Sequence, residues 1–266
     1  MLHVKEVLNP MTNGVTNPFH CILDTGDYAI VKTFNNIQSN MVLINEFICY
    51  ELALFLNLPM PESGVCLISE NTVGLDKLIE EDNDKEKLGL AFYSKRIDKS
   101  TVLTGLKMVD LIENKHDILK IIVFDHLIYN ADRNKGNLIF SFKKKNLFMY
   151  VIDHTHVFHK QCLWDMYQLE QCIEDNDYLD TTIIEKNSDL YSLFFQREDM
   201  PLDKLLEISK EYKEKINENN LREIINRVPK EWNLSYDDGE ALIKYLLYRL
   251  DKLDHMCKII YENKSK

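Results

Sequence analysis

The chain has 266 residues, of which 45% are hydrophobic and 28% are charged. This length suits one large domain or two units of about 100 to 150 residues each, and the composition excludes wholesale disorder, fibrous architectures and small disulfide-stapled scaffolds. The formal net charge of −11 at pH 7 argues against a general binder of nucleic-acid backbones. We therefore expect no direct nucleic-acid binding.

Cysteine usage and hydropathy indicate the compartment. The 6 cysteines include no close pair of the C-x-x-C kind, which is typical of a reducing environment. No apolar run for secretion follows Met1, and the most hydrophobic stretch, 41–58, is interrupted by Asn45, Glu46 and Glu51. The sequence therefore predicts a cytoplasmic protein without membrane association.

The first part of the chain is predicted to be rich in β-structure. Two runs, 19–23 and 28–34, flank a turn sequence and indicate a β-hairpin. The segment 41–57 predicts a largely buried helix, because apolar residues recur at nearly every turn and the segment ends before Pro59. Further short strands are expected at 65–69 and 90–93.

From about Leu106 the pattern becomes mainly helical. Predicted helices lead into a polar segment, 130–137, and a candidate strand pair follows at 138–142 and 147–152. The end of the chain is predicted to be helical, most clearly over 239–261, where a stripe of leucines shares one side. We interpret that stripe as part of the core rather than as a groove for a partner.

The most informative segment is 130–137, with the sequence Asn-Ala-Asp-Arg-Asn-Lys-Gly-Asn. Asp132 and Asn137 have the D-x-x-x-x-N spacing of the protein-kinase catalytic loop. Asp153 comes sixteen residues after Asn137 and follows an apolar strand, where those enzymes place a second metal-binding aspartate. Lys32 ends an apolar run of a predicted strand and matches the lysine that neutralises phosphate charge.

This spacing has a physical rationale. Phosphoryl transfer requires a carboxylate that orients a hydroxyl and accepts its proton, and hard oxygen ligands that hold magnesium against the phosphates. A tight polar loop can turn Asp132 and Asn137 toward one cleft, with Gly136 allowing the turn, and the following hairpin returns Asp153 to that cleft. Singly, each residue is more often a turn cap or a strand end. Their conjunction with Lys32 favours the catalytic interpretation.

These residues resemble the HipA-like serine/threonine kinase family and, more distantly, the phosphoinositide kinases. The similarity lies in 130–133 and 152–154, and it extends to 45–61 and to 227–232 before a final helix. Two departures are visible. Asn134 stands where these relatives often have a histidine, and the sequence has no G-x-G-x-x-G loop.

The resemblance implies an α+β, two-lobed protein-kinase-like fold. A small β-rich N-lobe with one helix would cover 1–94, and a larger, mainly helical C-lobe would cover 95–266. It also implies an ATP- and Mg²⁺-dependent kinase that transfers the γ-phosphate to a hydroxyl, most often of a protein serine or threonine. Asp132 would be the general base, and the magnesium ligands would be Asn137 and Asp153.

The resemblance makes Lys32 the phosphate contact, and this role needs a carboxylate partner. Glu46 and Glu51 both lie on the predicted helix. Their spacing places them about 140° apart on its surface, so both cannot face the lysine. Because the surrounding segment matches the family's helix at Glu46, we expect Glu46 to pair with Lys32 and Glu51 to face solvent.

Other nucleotide contacts are expected from position alone. Asn13 and Gly14 lie between the first two predicted strands, where either a nucleotide-covering loop or an ordinary hairpin turn would fit. Tyr93 and Lys95 belong to the segment 93–96, which follows the last predicted strand of the first unit. We expect them to link the lobes and to present backbone groups to adenine.

Several alternatives remain open. The metal-like cluster His154, His156, His159 and Cys162 would need an unpredicted bend to bind zinc, so we expect no zinc there. A Ser-His-Asp hydrolase would need a G-x-S-x-G elbow, which is absent. The main alternative functions are a nucleotide-binding module that regulates a partner protein and a kinase of small molecules or lipids. No motif identifies the phosphate acceptor, the partner or the oligomeric state.

Overall fold

The structure is a computed structural model that describes residues 1–11, 16–78, 87–143 and 146–264. Five strands of this described chain form one sheet: β1 (Leu2–Pro10), β2 (Phe19–Leu23), β3 (Tyr28–Lys32), β4 (Ser63–Ile68) and β5 (Gly89–Lys95). The sheet closes into a barrel in the order β1-β2-β3-β5-β4. Closure comes from β1, which pairs antiparallel with β2 and parallel with β4.

The predicted hairpin consists of β2 and β3. Phe19, Cys21 and Leu23 alternate along β2 and point into the barrel core, as the two-residue period of a strand requires. The connecting turn contains Gly26, whose φ of 89° lies in the left-handed region that glycine adopts without strain. Local sequence therefore determines this hairpin.

Helix α1 (Met41–Leu56) connects β3 to β4. It ends at Asn57, whose φ of 54° is left-handed and whose N–H bonds back to the carbonyls of Ala53 and Leu54. From Leu43 onward, the buried apolar side chains of α1 belong to the larger hydrophobic core that the later helices share, and not to the barrel core. An edge contact between Phe47 and Trp232, with ring centroids 6.1 Å apart, is part of that packing.

After the barrel, three antiparallel strands form a second sheet in the order β6 (Ser100–Val102), β7 (Leu138–Lys143) and β8 (Asn146–Val151). The remaining helices of the described chain are α2 (Leu106–Val109), α3 (Asp117–Leu127), α4 (Met166–Glu174), α5 (Thr182–Lys186), α6 (Ser188–Phe195), α7 (Leu202–Lys215), α8 (Glu218–Arg227), α9 (Tyr236–Asp251) and α10 (Leu253–Asn263). The predicted final helix is two helices that meet at Lys252. Its leucine stripe is buried, as predicted.

The chain thus has the mixed strand and helix content of the predicted α+β class. The division into lobes at 1–94 and 95–266 stays a prediction. Asn13 and Gly14 lie outside the described residues. Within the described part of the chain, every helix is too short or too polar to cross a membrane.

Candidate active site

Lys32, the last residue of β3, has an ammonium group surrounded by oxygen atoms. It donates to a carboxylate oxygen of Glu46, to Asp153 Oδ1 at 3.0 Å and to Thr155 Oγ1 at 2.6 Å. The Thr155 hydroxyl in turn donates to Glu46 Oε1 at 3.0 Å. Lys32 and Glu46 are only 9% and 4% exposed. These contacts use all three N–H donors of the ammonium.

The charges of this cluster depend on one another. Burial opposes the charge of Lys32, but the carboxylates of Asp153 and Glu46 outweigh burial and raise the lysine pKa. Burial also opposes the charge of Asp153, yet Lys32 beside it holds the pKa of that carboxyl below its usual range. Burial raises the pKa of Glu46 against the opposing effect of Lys32. At neutral pH, Lys32 and Asp153 are therefore both charged.

Asp153 lies just beyond the end of β8. Its φ of 58° is left-handed, a conformation that Asp adopts more readily than most residues other than glycine. Its side chain is 40% exposed. The carboxylate therefore contacts Lys32 and remains open to a ligand.

Asp132 and Asn137 lie in a short loop with its own hydrogen bonds. The Asn137 side-chain amide donates to the Asp132 carbonyl at 2.6 Å, and the Asp132 N–H donates to Asn130 Oδ1 at 3.0 Å. Asn134 caps the following 3₁₀ turn by accepting from the Gly136 N–H at 2.8 Å. Gly136 is not among the glycines with positive φ. The turn comes from side-chain capping, and not from glycine freedom as we had expected.

The buried Arg133 side chain stabilises this loop. Its guanidinium pairs with Asp125 of α3 at 2.9 Å, and both side chains have no solvent exposure. The same guanidinium donates to two backbone carbonyls, those of Asn137 at 3.2 Å and Ile152 at 2.6 Å. Ile152 immediately precedes Asp153. One buried cation therefore fixes the positions of Asn137 and Asp153 relative to each other.

Further buried groups form the remaining hydrogen bonds of this ion pair and of the loop beside it. Asp125 accepts from the Asn130 amide at 2.9 Å and from the Tyr191 hydroxyl at 2.8 Å. Asn187 accepts from the Arg133 N–H at 2.9 Å and donates to the Asn130 carbonyl at 2.8 Å. A buried ion pair with its hydrogen bonds filled in this way can hold one arrangement of the loop.

The segment after Asp153 is attached to α1 through Asn45. The fully buried Asn45 amide donates to the carbonyls of Thr155 at 2.7 Å and Gln161 at 3.2 Å, and its oxygen accepts from Trp164 Nε1 at 2.9 Å. Asn45 directly precedes Glu46 on the helix. The helix that supplies the lysine's partner therefore also anchors the chain beyond Asp153.

The expectation that Glu51 faces solvent is wrong. Its residue is 5% exposed, and its two carboxylate oxygens accept from Arg227 of α8 at 2.8 Å each. The angular argument correctly separated the two glutamates on α1. It could not show that Glu51 meets a cation 176 residues away in sequence.

Tyr93 and Lys95 lie within the barrel sheet. Tyr93 pairs with Val31 on one side and Gly64 on the other, and its side chain belongs to the barrel core. The Lys95 N–H donates to the Glu62 carbonyl at 2.8 Å, while its ammonium pairs with carboxylates at 2.9 Å. The Lys95 N–H is thus already bonded, and the roles of Tyr93 and Lys95 as nucleotide contacts stay a prediction.

The histidines and the cysteine of the sequence cluster have different partners. His154 contacts Arg133, His156 contacts Asp132, and Cys162 donates to the Thr155 carbonyl. Among the residues that the structure describes, His159 is the one member of this cluster that joins a group that could hold a metal, with Cys172 and Asp177. Asp177, however, already pairs with the buried Arg249 at 2.8 Å. Within the described chain we therefore interpret this group as an ion-pair network.

A model of the HipA-like kinase family matches residues 4–257. No curated protein matches the chain.

Among solved structures, the chain is similar to the proinflammatory kinase CtkA of Helicobacter pylori, with 15% identity, a TM-score of 0.62 and coverage of 98% of this chain and 97% of that one. It is also similar to the Golgi casein kinase, with 11% identity, a TM-score of 0.50 and coverage of 99% and 75%. These two likenesses show a kinase-like fold.

Proposed function

This chain belongs to the HipA-like kinase family and is a phosphotransferase, and we propose that it transfers the γ-phosphate of ATP to a hydroxyl group in a Mg²⁺-dependent reaction. The observation that carries this proposal is the contact of the buried Lys32 with both Glu46 and Asp153. Removing a lysine and its carboxylate partners from water costs free energy. Ionisable groups perturbed in this way cluster at functional sites. An incoming phosphate would meet a cation already positioned and would take the place of one of its three hydrogen-bond partners.

Asp132 is the proposed general base. Its side chain is 47% exposed, so an acceptor hydroxyl can reach it. The hydroxyl oxygen attacks the γ-phosphorus, the bond from that phosphorus to the bridging oxygen breaks, and ADP leaves. Asp132 orients the hydroxyl and accepts its proton. We propose a protein serine or threonine as the acceptor, on the basis of the family resemblance.

The donor set fits magnesium. Asp153 offers an open carboxylate, and Asn137 offers a side-chain amide whose nitrogen is fixed on the Asp132 carbonyl. These are hard oxygen ligands of the kind that Mg²⁺ prefers. The ion would neutralise phosphate charge between them. The Arg133 guanidinium keeps the backbones of these two segments in place.

The test is phosphate transfer from radiolabelled ATP to a mixture of serine and threonine peptides, with Mg²⁺ and with a chelator. We expect transfer that requires Mg²⁺, and a fall of about 100-fold or more in kcat for Asp132→Ala, because a positioned base contributes at least that factor. The matched control is Asp110→Ala, which removes a half-exposed carboxylate paired with Arg197.

Two outcomes would contradict the proposal. Tight ATP binding by the wild type without transfer to any hydroxyl, small molecules and lipids included, would support a regulatory nucleotide-binding module instead. Unchanged kcat in Asp132→Ala would remove Asp132 from its role even if the protein is an active kinase.

A further inference from the structure

His156 contacts the proposed base directly. Its Nδ1 lies 3.3 Å from Asp132 Oδ2, and its Nε2 lies 3.0 Å from the side-chain amide oxygen of Gln38. The imidazole side chain is 18% exposed. A carboxylate only accepts hydrogen bonds, so Nδ1 carries the hydrogen in the contact with Asp132. In the neutral ring Nε2 is then an acceptor, and it bonds to Gln38 when that amide is turned to offer its nitrogen.

The Asp132 carboxylate has little other support. Asn134 approaches the other oxygen, Oδ1, at 3.3 Å, the same distance as the His156 contact and slightly beyond the usual range for such a bond. A half-exposed carboxylate with a single contact of this length can rotate away from a reactive orientation, whereas one contact on each oxygen restrains it. Because a small displacement of a catalytic group costs a large part of the rate, a second restraint on this side chain has a direct kinetic effect.

We propose that His156 is a positioning residue that holds Asp132 in the orientation for accepting the hydroxyl proton. The inference rests on the proposed kinase function and adds a residue to it. Gln38, in the loop between β3 and α1, holds the ring from the edge opposite Asp132. The ring is therefore fixed at both nitrogens.

Thr155, the residue before His156, contacts a different part of the proposed site. Thr155 contacts Lys32 and Glu46, whereas His156 contacts Asp132. Two consecutive residues thus touch the phosphate-binding lysine and the base. His156 should act on the transfer step and leave the binding of ATP at Lys32 unchanged.

Two substitutions separate the two ring contacts. In His156→Asn the side-chain amide nitrogen occupies the place of Nδ1 and can still donate to Asp132. In His156→Gln the amide reaches the place of Nε2 and keeps the contact with Gln38 instead. We expect kcat within about 3-fold of the wild type for the Asn variant and a fall of about 10-fold or more for the Gln variant, with the KM for ATP unchanged in both.

The matched control is His116→Gln, which removes another histidine contact with a carboxylate, from His116 Nδ1 to Glu198 at 2.9 Å. It should leave kcat unchanged. Gln38→Ala gives a second test should a His156 variant fold poorly, and we expect kcat to fall about 3-fold without a change in KM, since the ring loses one of its two restraints.

The kcat and KM values of these variants distinguish failure of the positioning role from failure of the proposed function. Wild-type kcat in His156→Gln, or equal losses in the Asn and Gln variants, would overturn the positioning role while the kinase function stands. A raised KM for ATP in the Gln variant would place His156 at the nucleotide and would also overturn it. A wild-type protein that transfers no phosphate would overturn the proposed function and this inference together.

Discussion

Arg133 and Asp125 form an ion pair that is completely removed from solvent, directly beneath the loop that carries Asp132. Asp125 belongs to α3, so the pair connects this loop to a helix of the main core. The carbonyls of Asn137 and Ile152 share the same guanidinium. The convergence of the loop with the end of β8 therefore depends on a residue that never reaches the surface of the site.

The first prediction concerns this pair. Asp125→Asn removes the charge that compensates Arg133 and weakens the three hydrogen bonds from the Arg133 guanidinium to the Asp125 carboxylate. Breaking a buried pair from one side typically costs about 3–5 kcal/mol. We expect the free energy of unfolding, measured with urea, to fall by that amount.

The control for this prediction is an exposed ion pair. Asp110→Asn breaks the contact with Arg197, where both side chains are more than a third exposed, and it should change stability by less than about 1 kcal/mol. Equal effects of the two substitutions would show that the Arg133 charge is compensated by other groups.

The second prediction concerns the Thr155 hydroxyl, which accepts from Lys32 and donates to Glu46. Thr155→Val keeps the shape of the side chain and removes one hydrogen bond from each of two buried partners, the charged Lys32 and the Glu46 carboxyl group. We expect a loss of about 2 kcal/mol in the free energy of unfolding, and recovery of most of it in Thr155→Ser. Urea unfolding at neutral pH measures both.

Thr72 offers a matched control. Its buried hydroxyl also makes two hydrogen bonds, but to the neutral Val4 carbonyl and Ser69 N–H. Thr72→Val should cost about 1 kcal/mol, because bonds between neutral groups contribute less than bonds to charged ones. If both valine variants lose the same stability, the charge of Lys32 does not strengthen the hydrogen bonds of Thr155.

The parts of the fold that could be predicted from the sequence have a local signal. The alternation along β2, the glycine turn after it and the apolar periodicity of α1 are each set within one element. Closure of the barrel has no such signal, because the parallel pairing of β1 with β4 joins Leu2 to Cys66. The break at Lys252 was missed because apolar periodicity continues through both helices.

The site follows the same rule. Spacing identified Asp132 and Asn137 as a pair, and the family resemblance selected Glu46 over Glu51. The role of Thr155 could not be predicted, because its hydroxyl contacts Lys32, which lies 123 residues away in sequence. The role of Asp125 was missed too, because an aspartate inside an apolar helix looks the same whether it caps a turn or neutralises a buried arginine.

The third prediction concerns Asn45. Its side chain makes three hydrogen bonds to the segment 155–164, two of them fully buried. Asn45→Ala leaves two carbonyls and the Trp164 indole N–H without these partners, which should loosen that segment more than the rest of the chain. Amide hydrogen exchange should accelerate in 155–164 while β2 keeps its protection. Uniform acceleration throughout the chain would instead indicate global destabilisation.

The last prediction is a pH dependence of stability with two opposing contributions. The contact with Asp177 raises the pKa of His159 to about 9, whereas burial lowers the pKa of His126 to about 4. A raised pKa stabilises the fold fully below the unfolded value of about 6.5, and this stabilisation is lost as the pH rises to 9. A lowered pKa has the opposite effect, so the contribution of His126 is lost as the pH falls from about 6.5 to 4.

We expect the free energy of unfolding to be largest near pH 6.5. His159→Gln should flatten only the alkaline side of the profile, and a slope that persists between pH 7 and 9 in this variant would assign that side to other groups.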